Sequence, residues 1–248
     1  LKPVVSDRPP ARCSVCGCAS LRAFGDKDFG ESGADHFEQR RVFADYGVRV
    51  AYHQCTACRF TFTAAFDDWS KAEFEAHVYN DDYVLGDKPF VSERPLRNAA
   101  MVAGLYHRER GSVDILDVGG GKGVFAQALR EAGFSATTRD LYFMGAEVDA
   151  TRRHDLITSF EVIEHVRHDQ QHAWMAALAG QLRAAPASRV LISTEVIGPD
   201  HRIGWWYLCP RNGHISVHSA ASLRWLGAAV GLRLFSINPS MHWLAPGP

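Results

Sequence analysis

At 248 residues, with 46% hydrophobic and 22% charged residues, the chain has the apolar content of an ordinary soluble globular protein with a real core. A formal net charge of -1 excludes a global field that would gather nucleic acid or an anionic membrane. No apolar run approaches the ~18 residues needed to span a bilayer. The opening Leu1-Lys2-Pro3-Val4-Val5 has no signal-peptide h-region or small-residue cleavage site, so a cytoplasmic enzyme is the expectation.

Cysteines stand at 13, 16, 18, 55, 58 and 209, and Cys13/Cys16 and Cys55/Cys58 form two C-x-x-C pairs. Paired knuckles of this kind set four thiolates in a tetrahedron ~2.3 Å from one structural zinc ion. The 38 residues between Cys16 and Cys55 exceed the commonest zinc-ribbon spacing, and a hairpin would absorb them. Arg40–Tyr46 and Val48–Gln54 alternate as its strands around Gly47. Disulfides are disfavoured because the rest of the chain reads as cytosolic. Cys18 could replace Cys13 or Cys16, although the Cys16-Gly17 knuckle favours it as a bystander; Cys209 reads as a small buried hydrophobe. Residues 1–64 are therefore expected to be a zinc-ribbon β module that needs its metal to hold a fold.

Residues 65–110 read as a helical linker or lid. Helix is expected from Asp67 to about Arg110, with Pro89 to Pro95 interrupting it and a second helix over Leu96–Arg108. Tyr79 and Tyr83, four apart, would share one helical face, for which packing alone is a sufficient reason.

From residue 111 to 248 strands and helices alternate, the pattern of an α/β fold with a parallel sheet and helices on both faces. Expected strands are Val113–Val118, Ser135–Arg139, Leu156–Phe160, Val190–Thr194, His214–Val217 and Leu232–Asn238. Expected helices are Val124–Ala132, Asp169–Leu182 and Ala220–Ala229. Only 14 residues separate Asp140 from Asp155, so a third strand there should be short or absent.

The first of these strands runs through Asp117 into Gly119-Gly120-Gly121-Lys122-Gly123 and then a helix. Glycines let backbone approach a ligand and adopt positive φ, and the helix N-terminus aims free N–H groups at what is bound. The loop is G-x-G-x-G; it lacks the third glycine of a dinucleotide fingerprint and the G-K-[ST] of a phosphate loop. Asp140, 17 residues beyond Gly123, stands where Rossmann-type folds keep a ribose-hydroxyl acceptor.

The form D-V-G-x-G-x-G, followed by Asp155-Leu156-Ile157 and Glu161-Val162-Ile163-Glu164-His165-Val166, resembles the class I methyltransferases that use S-adenosylmethionine. The resemblance implies a Rossmann-like sheet. It implies that Asp117 positions the amino-acid end of the cofactor, that Gly119, Gly121 and Gly123 pass beneath it, and that Asp140 and Glu161 complete its site. Asp149 or Glu147 would contact adenine. It places Glu164 and His165 beside the reactive methyl. Histidine, with an unperturbed pKa of ~6.5, suits removal of an acceptor proton, so His165 is the expected base and Glu164 its orienter or a substrate ligand. Trp205-Trp206-Tyr207 and Gly213-His214-Ile215 resemble a segment that closes over the acceptor, which makes His214 a second catalytic candidate and Tyr207 a substrate contact. Tyr79 and Tyr83 resemble a Y-x-x-x-Y element of zinc-ribbon methyltransferases that reaches over the site.

Taken together, residues 13 to about 238 resemble the sugar C-methyltransferases of deoxysugar biosynthesis, without their extra C-terminal domain. Shorter zinc-ribbon methyltransferases of polysaccharide or natural-product pathways are similar as well. The expected activity is methylation of carbon or oxygen on a small molecule, sugar nucleotide or glycan. A ribosomal RNA methyltransferase gripping RNA with its zinc ribbon is the alternative. Its basic footprint is poor, because residues 1–64 hold nine Lys/Arg against seven Asp/Glu. A non-catalytic zinc-ribbon interaction protein is the remaining reading.

Overall fold

A computed structural model describes residues 3–5, 8–91, 93–142 and 151–247. The chain forms two compact units. One comprises Leu1–Lys88, Ile163–His172 and Glu195–Leu226; the other comprises Pro89–Val162, Ala173–Thr194 and Gly227–Pro248.

The first unit is built on an antiparallel sheet of order β1-β2-β3-β8, made by β1 (Leu21–Asp28), β2 (Arg49–Cys55), β3 (Thr61–Phe62) and β8 (Ser216–Val217). The hairpin expected between Arg40–Tyr46 and Val48–Gln54 does not form. The partner of β2 is β1, with Leu21 opposite Cys55 and Asp28 opposite Arg49. Asp28 explains the change. Its buried carboxylate accepts the backbone N–H groups of Gly30, Tyr46 and Gly47 at 2.8, 2.9 and 2.8 Å, which binds residues 40–47 into an irregular turn. Arg41 bridges Asp28, Asp35 and Asp45 across that turn. The sequence hides β1 because Gly25 and a bulge between Ala23 and Gly25 break its alternation.

The long helix expected from residue 67 is also divided. Helices α1 (Gly33–Glu38), α2 (Lys71–His77) and α3 (Tyr83–Gly86) are short, and α2 starts at a capping box between Ser70 and Glu73. Asn80 stops the helix. Its side-chain amide donates to the Ala76 carbonyl and its oxygen accepts the Asp82 N–H, a local alternative to helical bonding. Tyr79 therefore lies outside the helices, and no single helical face carries both tyrosines.

In the second unit α4 (Glu93–Leu105) precedes a six-stranded sheet of order β5-β4-β6-β7-β10-β9. Its strands are β4 (Asp114–Val118), β5 (Ser135–Arg139), β6 (Leu156–Phe160), β7 (Arg189–Ser193), β9 (Leu232–Asn238) and β10 (Met241–Pro246). The first four in spatial order are parallel, and the β9–β10 hairpin adds two antiparallel strands. The helices that follow β4, β6 and β8 in the chain are α5 (Val124–Glu131), α6 (Gln171–Gln181) and α7 (Ala220–Ala229). The α/β class and the parallel strands match the expectation. Strand β10 was not anticipated, and the strand expected over His214–Val217 shrinks to β8 and joins the other sheet. Ala99, Val102, Ile115, Phe125, Ala126, Leu129, Leu156 and Leu191 form one buried cluster beneath α4 and α5. Glu147 and Asp149 lie outside the described residues. Among the described residues, no helix is long and apolar enough to cross a membrane.

Asp28→Asn should lower stability by about 1–3 kcal/mol, the cost of weakening bonds to buried N–H groups. Burial raises the Asp28 pKa, but three backbone donors and Arg41 outweigh it and hold the carboxyl below its ordinary value. The stabilisation is thus present above that ordinary value and is lost as pH falls through the folded one. Melting temperatures of the two proteins should differ at pH 7 and converge in acid.

Candidate active site

The glycine loop is shaped by the acids beneath it. Asp117 ends β4 fully buried, with Thr158 donating to Oδ1 at 2.9 Å and Thr138 to Oδ2 at 3.0 Å. A Cβ on Gly120 would stand 1.9 Å from Asp117 Oδ2, so only glycine fits over this carboxylate. Gly119 has φ +78, and a Cβ there would meet Val162 at 2.4 Å. Gly121 donates its N–H to Asp140 Oδ2 at 2.8 Å, and Gly123 begins α5 in the left-handed region. Asp140 is buried, and its other oxygen accepts the Tyr142 N–H at 2.8 Å. Asp140 thus braces the loop in addition to whatever it offers a ligand. Glu161 follows β6 with φ +54, a conformation costly for a non-glycine residue, and it accepts a 2.7 Å hydrogen bond from Ser193 Oγ. This unit therefore presents a strand, a glycine-rich loop and a helix start, with Asp117, Asp140 and Glu161 around them.

The first unit brings together Glu164, His165 and His214. One ligand atom from each lies within 4.8 Å of the others. Their orientation is fixed by backbone. His165 Nδ1 lies 3.1 Å from the Gly213 carbonyl and His214 Nδ1 lies 2.8 Å from the Tyr207 carbonyl. A carbonyl only accepts, so each Nδ1 carries the proton and each Nε2 is the basic atom. The two rings meet edge to face at 5.0 Å. Glu164 is fully buried, and the Tyr207 hydroxyl donates to its Oε1 at 2.6 Å. The Tyr79 ring lies 6.0 Å from His165 and so adjoins the cluster, and Tyr83 packs behind it, 5.4 Å from Tyr79.

Several supports escape sequence reasoning. The Tyr52 hydroxyl donates to the His214 carbonyl at 2.8 Å. Arg211, with 2% of its surface exposed, donates to the Val78 carbonyl and to Asn80 Oδ1 and so clamps the chain on either side of Tyr79. Asn212 accepts the Gly33 N–H and donates to the Gly86 carbonyl. The signal that could have flagged them is the density of polar residues in the short run from Tyr207 to His214.

Cys13, Cys16, Cys55 and Cys58 present four sulfurs within 4.8 Å of one another, with Cys13–Cys58 at 3.7 Å and Cys16–Cys55 at 3.5 Å. Sulfurs ~2.3 Å from a tetrahedral zinc stand about 3.8 Å apart, so the cluster fits that ion. The Cys13 thiol is held down to about 5 by its hydrogen bond with Cys58, whose own thiol is pushed up by the same contact. Cys18 stays outside the cluster, beside Ser20, and Cys209 is buried.

Comparison with known proteins agrees with this architecture. Residues 90–237 match the family described as "Methyltransferase domain". The chain belongs to this methyltransferase family. Its fold is the class I fold of S-adenosylmethionine-dependent methyltransferases, and it is an enzyme of that class. Among solved structures, it is similar to Burkholderia thailandensis 1,6-didemethyltoxoflavin-N1-methyltransferase, bound to its substrate and S-adenosylhomocysteine. The identity is 17%, covering 79% of this chain and 99% of that one, with a TM-score of 0.52. An O-methyltransferase family protein from the same organism is 12% identical over 72% of this chain and 63% of that one, with a TM-score of 0.52. The mitomycin 7-O-methyltransferase MmcR is 17% identical over 62% of this chain, which spans just 55% of the MmcR chain, with a TM-score of 0.48. No curated protein matches the sequence closely. The family match includes the glycine loop, Glu164, His165 and His214; the cysteine cluster, Tyr79 and Tyr83 precede it.

In this methyltransferase, Asp117 gives the glycine loop a pH signature. Burial pushes its pKa up to about 7, against the pull of the Thr158 and Thr138 hydroxyls, and Asp140 adds to the rise. The folded state then holds a proton that the unfolded chain loses near pH 4, so this contribution to stability falls as pH rises from about 4 through about 7. Asp117→Asn should remove that loss. Its melting temperature relative to wild type should be higher at pH 8 than at pH 5.

Proposed function

We propose that the protein methylates carbon or oxygen of a small molecule, with a sugar nucleotide or glycan as the acceptor class, using S-adenosylmethionine as donor. The reading rests on one observation above all: Glu164, half-buried His165 and His214 gather into one cluster whose imidazole tautomers are set by backbone carbonyls. The glycine loop supports the donor assignment, because Gly119 and Gly120 turn tightly over the Asp117 carboxylate and the start of α5 follows. Asp117, Gly119, Gly121, Gly123, Asp140 and Glu161 would hold the cofactor. That the similar didemethyltoxoflavin methyltransferase is named for a small molecule supports a small-molecule acceptor.

Bound S-adenosylmethionine supplies a sulfonium-activated methyl for in-line displacement. The chain's own residues must align the acceptor, exclude water and take its proton. His165 Nε2 is the proposed base, since the Gly213 carbonyl keeps the other nitrogen protonated. His165 would take the acceptor's proton at Nε2. Glu164, oriented by the Tyr207 hydroxyl, stabilises the imidazolium that results. His214, Tyr79, Tyr83 and Tyr207 bind and orient the acceptor. A zinc ion held by Cys13, Cys16, Cys55 and Cys58 is structural, and the site residues and their module would act within the cytoplasm.

Isotopically labelled S-adenosylmethionine, offered with sugar nucleotides, glycans and RNA, tests the reading. Label should enter a carbohydrate acceptor; label entering RNA alone would overturn it. His165→Ala should cut turnover at least 100-fold, the usual scale of general-base loss, with calorimetric cofactor affinity unchanged. An active His165→Ala enzyme would remove His165 as base. Metal analysis should find one zinc per chain, and Cys55→Ser with Cys58→Ser should lose it.

A further inference from the structure

Three arginines of the first unit face one cleft that the methyl-transfer reading does not use. The cleft holds about 380 Å³ and is lined by Arg22, Ala23, Phe24, Arg59, Pro199 and Arg202. Its lining contains no acidic side chain. Among the described residues, none of the three guanidinium groups pairs with a carboxylate within 4 Å. Three cations around one cavity repel one another, and an anion between them would reverse the sign of that interaction.

The guanidinium groups are also held in place. Arg22 donates to Gln54 Oε1, and buried Gln54 is itself fixed by donating to Thr61. Arg59 donates to the Gly198 carbonyl at 2.6 Å, and Arg202 donates to the carbonyls of Pro199 and His201. These bonds occupy a minority of the five N–H donors on each side chain. One further donor, Arg59 Nε, is buried with no acceptor. Fixed guanidinium forks suit phosphoryl oxygens, which they grip two at a time. Half-buried Phe24 and exposed Pro199 add an apolar wall of the kind a nucleobase or ribose packs against.

We propose that this cleft binds the phosphoryl groups of a nucleoside diphosphate, free or as part of a larger small molecule. Three positive charges match a diphosphate better than a single carboxylate. A cleft of this size admits a small ligand and offers no extended basic track for a polynucleotide backbone. The site is separate from Glu164, His165 and His214, and its test does not depend on turnover.

Calorimetry on the purified 248-residue chain should detect saturable binding of pyrophosphate and tighter binding of uridine diphosphate, with orthophosphate weaker than either. Arg22→Gln and Arg202→Gln should each weaken uridine diphosphate binding about tenfold, and the double variant more. Arg59→Lys, which keeps the charge and loses the fork, should fall between wild type and Arg59→Gln. Zinc content and melting temperature, measured on each variant, separate loss of the site from loss of the fold. S-adenosylmethionine affinity should stay constant throughout. Failure of the wild-type chain to bind pyrophosphate or uridine diphosphate would overturn the proposal. So would equal binding by folded Arg22→Gln and Arg202→Gln variants, or tight, salt-sensitive RNA binding with none to the diphosphates. If labelling shows no methyl transfer to carbohydrate while uridine diphosphate still binds, the acceptor reading fails and the cleft stands.

Discussion

The pairing of β3 with β8 is the constraint on which the cluster of Glu164, His165 and His214 depends. Thr61 lies opposite Val217 and Phe62 opposite Ser216, just beyond the second cysteine pair. Around this short ladder, Thr63 donates its N–H to the Ile215 carbonyl and Ser219 Oγ donates to the Cys58 carbonyl. His168 lies between Asp67 and Ser14, the latter inside the first cysteine pair, and His172 contacts the Val15 carbonyl. The segments that carry Glu164, His165 and His214 thus belong to no strand or helix long enough to stand alone. They are moored to the two cysteine knuckles by named hydrogen bonds.

This arrangement gives the cysteine cluster a purpose beyond closing a loop. A two-residue strand is marginal by itself. It persists here because the second cysteine knuckle leads into it from β2 and the rings of Phe60 and Phe62 stack on each other, the one against His218 and the other against His168. His218 in turn reaches Gln171, whose amide donates to the carbonyls of Ile163 and Val166 on either side of Glu164 and His165. The cysteine knuckles and the geometry at the imidazoles are therefore linked through contacts inside one compact unit. An RNA grip is not needed to explain why a methyltransferase domain carries such a module.

What was legible in the sequence follows from local physics. Strands β4, β5, β6 and β7 and helix α5 are continuous apolar or amphipathic runs punctuated by glycine and acid, so their positions could be read within a residue or so. The two C-x-x-C pairs and the cluster of Glu164, His165 and His214 were legible as residue types in order. Where order depends on distant polar contacts, the reading failed. Asp28 gathers three backbone donors from residues up to 19 positions away, which removes the expected strand at 40–46. Asn80 and Arg211 divide the expected helix in the same way. Strand β10 is hidden in the sequence because its place in the sheet is set by pairing with β7, whose partners lie 48 to 54 positions earlier, and by His242, buried between Ser236 and Thr194.

Hydrogen exchange before and after zinc chelation tests the mooring most directly. Amide protection at residues 163–166 and 213–217 should fall together with that of the knuckles at 13–18 and 55–60. Protection at 114–118 and 156–160 should change little. Retention of protection at 163–166 and 213–217 in the metal-free protein, or an equal loss along the whole chain, would contradict the account.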